Sequence, residues 1–528
     1  MVETRIHLVN EIMGGGKTSA MITEMRSHSE NKFIYLTPSL KETERVSDAC
    51  PELDFRMPTS NKDSAEPDPT KPNSKSLDYK SLLERKYNVC ATHKLFFMQS
   101  GEVCQHYNGY KLIIDEAPNL VVQSIDLGDE DTDIFYKSCL SFENGEKAEW
   151  ARSASYSGVF SDYKKICDKG FLNGISSDKK SYLYEIFPPE ILKKFEDIYI
   201  LTYLPEYQNF FYYLKGNDFS IDYLYVKEEN GEYSLTSEPQ PRKYFDYSEL
   251  IEFVGGPKGK YNLAGEGKYA LSKNAYKDGN LRKKMRSNLR NFFTSSKASA
   301  NDFLWTVFKE YKENISYGRF NTSFLSCNSK STNDYGNRHV VAYLINLFQN
   351  PAQSYYFKSY GIKTVSTGFA LTEMLQFIWR SAIRNGEKIK LYIPSKRMRN
   401  LLIAWIDYVA GRADKIEGLD TDNYEQFLPK NFEDFYIAPT ESHGTGNDYS
   451  FEYDFSSESK PIVVPVEKRS TKIMLPSTVS SKRFDAAYEA LCAPAWEVEP
   501  LVDYETDMDG FLIGYDDVPV GIGDNIAI

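Results

Sequence analysis

A short apolar run that meets three consecutive glycines and then a Lys-Thr pair leaves a chain few ways to fold. Residues 6–18 read Ile-His-Leu-Val-Asn-Glu-Ile-Met-Gly-Gly-Gly-Lys-Thr. The run predicts a strand over Arg5–Asn10, and Lys17 opens a predicted helix. Between them, glycines let backbone N–H groups wrap closely around an anion, and the helix N-terminus adds a favourable dipole. This order predicts a phosphate loop that holds a nucleoside triphosphate through Gly14, Gly15, Gly16, Lys17 and Thr18. Lys17 is the cation expected at the β- and γ-phosphate oxygens, and Thr18 offers a hydroxyl to Mg²⁺. The strict pattern Gly-x-x-x-x-Gly-Lys-Ser/Thr fails at its first position, which is Glu11.

Downstream, residues 111–117 read Lys-Leu-Ile-Ile-Asp-Glu-Ala. An apolar strand that ends in two carboxylates presents them where ligands bind in open α/β sheets, beyond the carboxyl ends of the strands. Asp115 is the expected Mg²⁺ carboxylate. Glu116 is the expected group that positions and polarises an attacking water. ATP and Mg²⁺ are thus the expected ligands.

Around these signals, apolar runs alternate with amphipathic stretches, the pattern of a parallel sheet flanked by helices. Further predicted strands are Lys32–Pro38, Tyr87–Thr92 and Asp197–Thr202. Residues 57–78 read as a long loop and residues 120–190 as an insertion between core strands. Past a junction near 227–265 the reading is a basic helix Leu281–Phe293, an amphipathic helix Ala300–Ile315 and a strand Phe320–Cys327. A helix near His339–Phe348, a helix near Leu371–Arg384, a strand Ile389–Ile393 and a helix Ser395–Tyr408 follow.

Composition narrows the partners. No run of about 18 apolar residues appears, so no membrane span is expected. The seven cysteines are scattered without a Cys-x-x-Cys pair, which suits reduced thiols in the cytoplasm rather than zinc. The net charge of −12 is uneven: residues 411–528 carry 24 acids and 9 bases, leaving a mildly basic body. Leu281–Arg290 holds five bases and no acid, and Arg380–Arg399 holds seven bases and one acid. Such clusters suit phosphate tracking, with Trp379 and Tyr392 as nearby rings, although Trp379 reads as core before stacking platform; they equally suit solvated helix faces.

The loop and the Asp-Glu strand resemble those of superfamily 2 helicases and translocases, the DEAD/DEAH-like group, and their phage-encoded members in particular. Asp115-Glu116-Ala117-Pro118 resembles the group's D-E-A-x motif. Tyr35-Leu36-Thr37-Pro38-Ser39 and Ala91-Thr92-His93 resemble its backbone-contacting motifs. Leu201-Thr202-Tyr203 sits where its coupling motif belongs. Gln376-Phe377-Ile378-Trp379-Arg380 continuing to Arg384 resembles Q-x-x-G-R-x-x-R, with Trp for Gly and the second arginine one position late. In that motif arginines reach the γ-phosphate from a second domain. On one helix, Gln376, Arg380 and Arg384 would share a face. The motif between these, within Asn328–Arg338, is too divergent to assign by residue.

The resemblance implies an α/β fold with two tandem RecA-like domains and parallel sheets. Residues 1–240 form the first, with the insertion at about 120–190, and residues 241–410 the second. Residues 411–528 form an acidic region, accessory or partly disordered. The implied activity is ATP-dependent helicase or translocase action on DNA in phage replication or recombination, with single-stranded DNA as partner. Thr37, Pro38, Ser39, Thr92, Arg282, Lys283 and Arg286 are its candidate contacts. Glu116, Lys17, Arg380, Arg384 and Gln376 are the candidate catalytic groups. The acidic tail 497–528 is a candidate dock for a replication protein. A packaging motor of the large-terminase type and a non-translocating nucleotide-gated binding protein stay open as alternatives.

Overall fold

Apolar runs of four to six residues become strands when both faces of a sheet are covered, because every side chain in the run then finds a buried place. The structure, a computed structural model, describes residues 3–60, 73–99, 101–123, 129–143, 147–176, 181–240, 243–255, 260–327, 334–416 and 419. The first strands are β1 (Arg5–Asn10), β2 (Lys32–Thr37), β3 (Val89–Thr92) and β4 (Tyr110–Asp115). Five more follow: β5 (Val121–Gln123), β6 (Leu140–Glu143), β7 (Lys147–Trp150), β8 (Leu172–Ser176) and β9 (Ser181–Ile186). Then come β10 (Asp197–Thr202), β11 (Ser220–Glu229), β12 (Glu232–Thr236), β13 (Ile251–Phe253), β14 (Phe303–Thr306), β15 (Val340–Tyr343) and β16 (Ile389–Tyr392).

The fold is α/β with two parallel sheets in tandem. The first sheet runs β12-β11-β1-β10-β4-β2-β3 and is parallel except for the β11–β12 hairpin. All six residues of β10 are buried, as a central parallel strand requires. Alternate side chains feed opposite faces: Ile34 and Leu36 join one core, Phe33 and Tyr35 the other. Val9 and Asp115 both register with Leu201, so β1 and β4 end together at one edge with β10 between them. The second sheet, β13-β16-β15-β14, is parallel throughout. A five-stranded antiparallel sheet, β5-β9-β8-β7-β6, sits between β4 and β10 in the chain.

One element crosses between the halves. Helix Pro351–Ser359 buries Ala352, Tyr356 and Phe357 in the core of the first sheet, not the second. A chain of buried amides holds it there. Gln349 Nε2 donates to Asn209 Oδ1 at 2.6 Å, Asn209 Nδ2 to Gln353 Oε1 at 3.1 Å, and Gln353 Nε2 to the Val121 carbonyl at 2.6 Å.

Several predicted elements are corrected. Ala300–Ile315 is not a helix: Phe303–Thr306 forms β14, with only short turns of helix over Lys309–Tyr311 and Lys312–Ile315. Residues near His339–Phe348 form β15. Both stretches are short apolar runs buried on two faces, and periodicity cannot separate these from helix. Phe320–Cys327 is not a strand: Gly318–Ser323 is a 3₁₀ turn, and Phe320 and Phe324 both pack on the Trp305 ring. Residues 61–72 of the long loop, residues 328–333 and the acidic tail 497–528 lie outside the described residues.

Candidate functional site

The edge where β1 and β4 end carries the site. After Asn10 the chain turns through Glu11 to Gly16 and enters helix Lys17–Ser27. Gly14 and Gly16 have φ of +80° and +85°, a region that disfavours side chains. Glu11 folds back, its Oε1 accepting from Ile12 N at 2.9 Å, and a Cβ at Gly15 would lie 2.5 Å from Glu11 Cγ. A Cβ at Gly16 would lie 2.4 Å from the Tyr233 ring, which the β11–β12 hairpin lays against the loop. Lys17 Nζ donates to the carbonyls of Glu11 at 2.6 Å and Ile12 at 2.9 Å. Burial lowers its pKa to about 8, opposed by Asp115, Glu11 and Glu116.

Thr18 is the second residue of the helix, and its hydroxyl donates to Asp115 Oδ2 at 3.1 Å. The Tyr35 hydroxyl donates to the same oxygen at 3.1 Å. Burial, then the neighbouring Glu116, pushes the Asp115 carboxyl up to about 6. Burial also raises the Tyr35 phenol well above its usual value, so it stays a donor. The sequence sets Tyr35 in a stretch that resembles a backbone-contacting motif; β2 instead points it inward at Asp115. Sequence reasoning missed that role, and also the Tyr233 ring. The register of β2 against β4, which pairs Leu36 with Ile114, is the signal that sets Tyr35 beside Asp115.

Glu116 follows in the left-handed region at φ +67°, uncommon for a non-glycine residue and a recurrent feature of functional sites. Its backbone N–H is held by the Leu201 carbonyl at 3.1 Å. Its Oε2 is buried without a hydrogen-bond partner, and its Oε1 lies 3.9 Å from Arg380 Nη2. Arg380 is 6% exposed. The shared helix face is corrected: helix Ser366–Ile378 ends before Arg380, which follows in a turn, and Arg384 sits in the 3₁₀ turn Ala382–Asn385. Trp379 and the fully buried Ala382 and Ile383 pull the chain into the core there. Arg384 nonetheless acts electrostatically on Lys17. Gln376 stays on the helix, half-buried. A further link across the halves runs from Trp405 Nε1 to the Tyr203 hydroxyl at 3.0 Å.

The remaining candidates separate. Thr37 is fully buried and donates to the Ser39 carbonyl, which removes it as a surface contact. Pro38 follows it, and Ser39 caps helix Leu40–Ala49 through Glu42 N. Thr92 caps helix His93–Phe97 through Leu95 N. Arg282 donates to the carbonyls of Tyr276 and Lys277, while Lys283 and Arg286 stand exposed on helix Gly279–Ser295. The second basic cluster is corrected in part: Lys388 and Lys390 are exposed, but two arginines besides Arg380 are not. Arg397 and Arg399 are 2% and 1% exposed and bind the carbonyls of Leu347, Ile393 and Pro394. Trp379 and Tyr392 are buried, so neither offers a stacking face.

The donor set fits the expected ligands. A hydroxyl and a carboxylate 3.1 Å apart suit a hard divalent cation, and an enclosed ammonium beside positive-φ glycines suits phosphate. Among the described residues there is no group of three His, Cys, Asp or Glu that would hold a metal by itself. The carboxylate cluster that a terminase nuclease needs falls after residue 410, where the described residues reach only 416 and 419.

Fold and site together define a tandem-sheet α/β protein with a glycine-lysine-threonine loop facing an acidic strand end. Residues 246–406 match the family described as the YonV C-terminal Rossmann-like domain. The SPbeta prophage-derived uncharacterized protein YonV of Bacillus subtilis (strain 168) is 34% identical over 419 residues, 76% of this chain and 99% of the relative. The chain belongs to the YonV family. Solved structures named XPD_APO and XPD_Helicase match at 13% and 14% identity with TM-scores of 0.42 and 0.41. Each match covers 77% of this chain and 95% of the other. Among the described residues no helix is long and apolar enough to cross a membrane.

Proposed function

We propose that the chain is an ATP-dependent helicase or translocase that moves on nucleic acid, single-stranded DNA foremost, in the cytoplasm of a phage-infected or lysogenic host. The observation that carries this reading is the approach of Arg380 to Glu116 across the two halves, at the loop of Lys17 and Thr18. In this reading residues 1–240 and 241–410 act as two domains that close on the nucleotide, with 411–528 as an acidic accessory region. The prophage relative supports the phage setting.

Thr18 and Asp115 would hold Mg²⁺, which when bound supplies charge neutralisation at the β- and γ-phosphate oxygens. Lys17 exchanges its two carbonyl partners for phosphate oxygens. The unpartnered Oε2 of Glu116 accepts a hydrogen from the attacking water and orients it. Arg380, with Arg384 beside it, stabilises the charge that develops on the transferred group. Because those arginines come from the other half, hydrolysis follows closure, and closure moves whatever both halves grip. ATP turnover measured in parallel with single-stranded DNA, duplex DNA and RNA tests this. Stimulation by single strands is expected; turnover indifferent to all three contradicts a nucleic-acid motor.

A further inference from the structure

Helix Gly279–Ser295 carries more than charge. Its exposed bases Lys283, Arg286 and Arg290 fall three and four residues apart, on one face, and the helix contains no acid. At the end of that row stands Tyr317, a large ring left 43% exposed. The Arg286 guanidinium lies 5.5 Å and the Arg290 guanidinium 4.7 Å from its centroid. Beneath, Tyr317 rests against Phe320, which is buried among Phe293, Phe303 and Trp305. A tyrosine anchored at its base, partly open to solvent and carrying two guanidinium groups over its ring, combines the two features that hold a single strand. These are a π-face for the base and fixed cations for the flanking phosphates.

We propose that Tyr317, with Arg286 and Arg290, is a base-stacking platform for a single-stranded polynucleotide. The platform rests on the nucleic-acid reading above and names where that substrate is gripped. The ring takes one base by stacking, which every base permits, so the grip tolerates sequence. Arg286 and Arg290 hold the phosphates on either side, and Lys283 extends the track by one helical turn. The other aromatic candidates, Trp379 and Tyr392, are buried, whereas Tyr317 is accessible.

The test uses the full-length chain and a fluorescent oligothymidylate, its oligouridylate counterpart, and the same DNA backbone carrying abasic sites. Tyr317→Leu keeps apolar bulk but removes the ring; Tyr317→Phe keeps the ring. Thermal melting of both variants against the parent checks that the surface change leaves the fold intact. The platform predicts that Tyr317→Leu binds oligothymidylate about tenfold more weakly, binds the abasic strand as the parent does, and that Tyr317→Phe behaves as the parent. A similar loss on oligouridylate supports a platform that serves RNA and DNA alike. A loss on oligothymidylate alone supports one confined to DNA. Unchanged affinity in Tyr317→Leu, or an equal loss on based and abasic strands, overturns the platform while leaving the motor reading intact. A parent chain that binds none of the strands overturns both, while ATP hydrolysis, measured separately, still reports on the phosphate loop.

Discussion

Arg380 Nη2 lies 3.9 Å from Glu116 Oε1, and the two residues belong to different halves of the chain. Each is fixed by its own surroundings. Glu116 hangs from the end of β4 in a left-handed turn, and Arg380 emerges where helix Ser366–Ile378 gives out. Glu116 also acts electrostatically on Lys17, so the pair joins the parts expected to polarise water with those expected to stabilise phosphate.

Glu116→Gln keeps the shape of the side chain and removes its capacity to accept a proton. ATP binding is expected to persist and hydrolysis to fall by about 10²-fold or more. Equilibrium binding of a fluorescent ATP analogue, set beside steady-state turnover, separates the two effects. Normal turnover would place the base elsewhere.

Tyr35→Phe removes one of two hydroxyls that donate to Asp115 Oδ2. Groups that orient a metal carboxylate typically matter by about 10- to 100-fold in metal affinity. The Mg²⁺ concentration needed for half-maximal nucleotide binding is therefore expected to rise by roughly that factor, with little change in thermal stability. An unchanged Mg²⁺ titration would reduce Tyr35 to packing.

Glu185 on β9 is 5% exposed, and burial pushes its carboxyl from an ordinary 4.5 up to about 8, against the pull of Lys169. The folded chain therefore holds this proton more tightly than the unfolded chain between those values. Stability contributed by the site is greatest below the unfolded value and falls as pH rises towards 8. Glu185→Gln is expected to flatten that pH dependence and to melt higher than the parent above pH 8. Parallel melting curves across the window check it; identical curves would contradict the buried ionisation.

Much of this arrangement is legible in the amino-acid order, and the failures have physical causes. The five strands read in the first half appear within two residues of their predicted ends, because uniform apolar runs next to glycine or acidic punctuation mark internal parallel strands. Thr18 and Asp115 come together because the loop and the acidic pair both terminate strands at one edge. Phe303–Thr306 and Val340–Tyr343 were misread as helix because strands buried on two faces lose their alternation. Tyr35 was missed because its meaning depends on the register of β2 against β4, which no local pattern encodes. Arg397 and Arg399 looked like a phosphate track because charge alone does not reveal that backbone carbonyls have claimed them. The crossing of helix Pro351–Ser359 into the first core likewise leaves no local trace.

If the two halves build one hydrolytic site, Arg380→Ala must lose turnover. Steady-state kcat should be measured for this variant and the parent at saturating ATP, with nucleotide affinity determined separately by equilibrium binding. A fall in kcat of about 10³-fold or more is expected with affinity changed only slightly, because the arginine acts on charge that develops during transfer. A kcat equal to that of the parent would contradict a site shared between the halves.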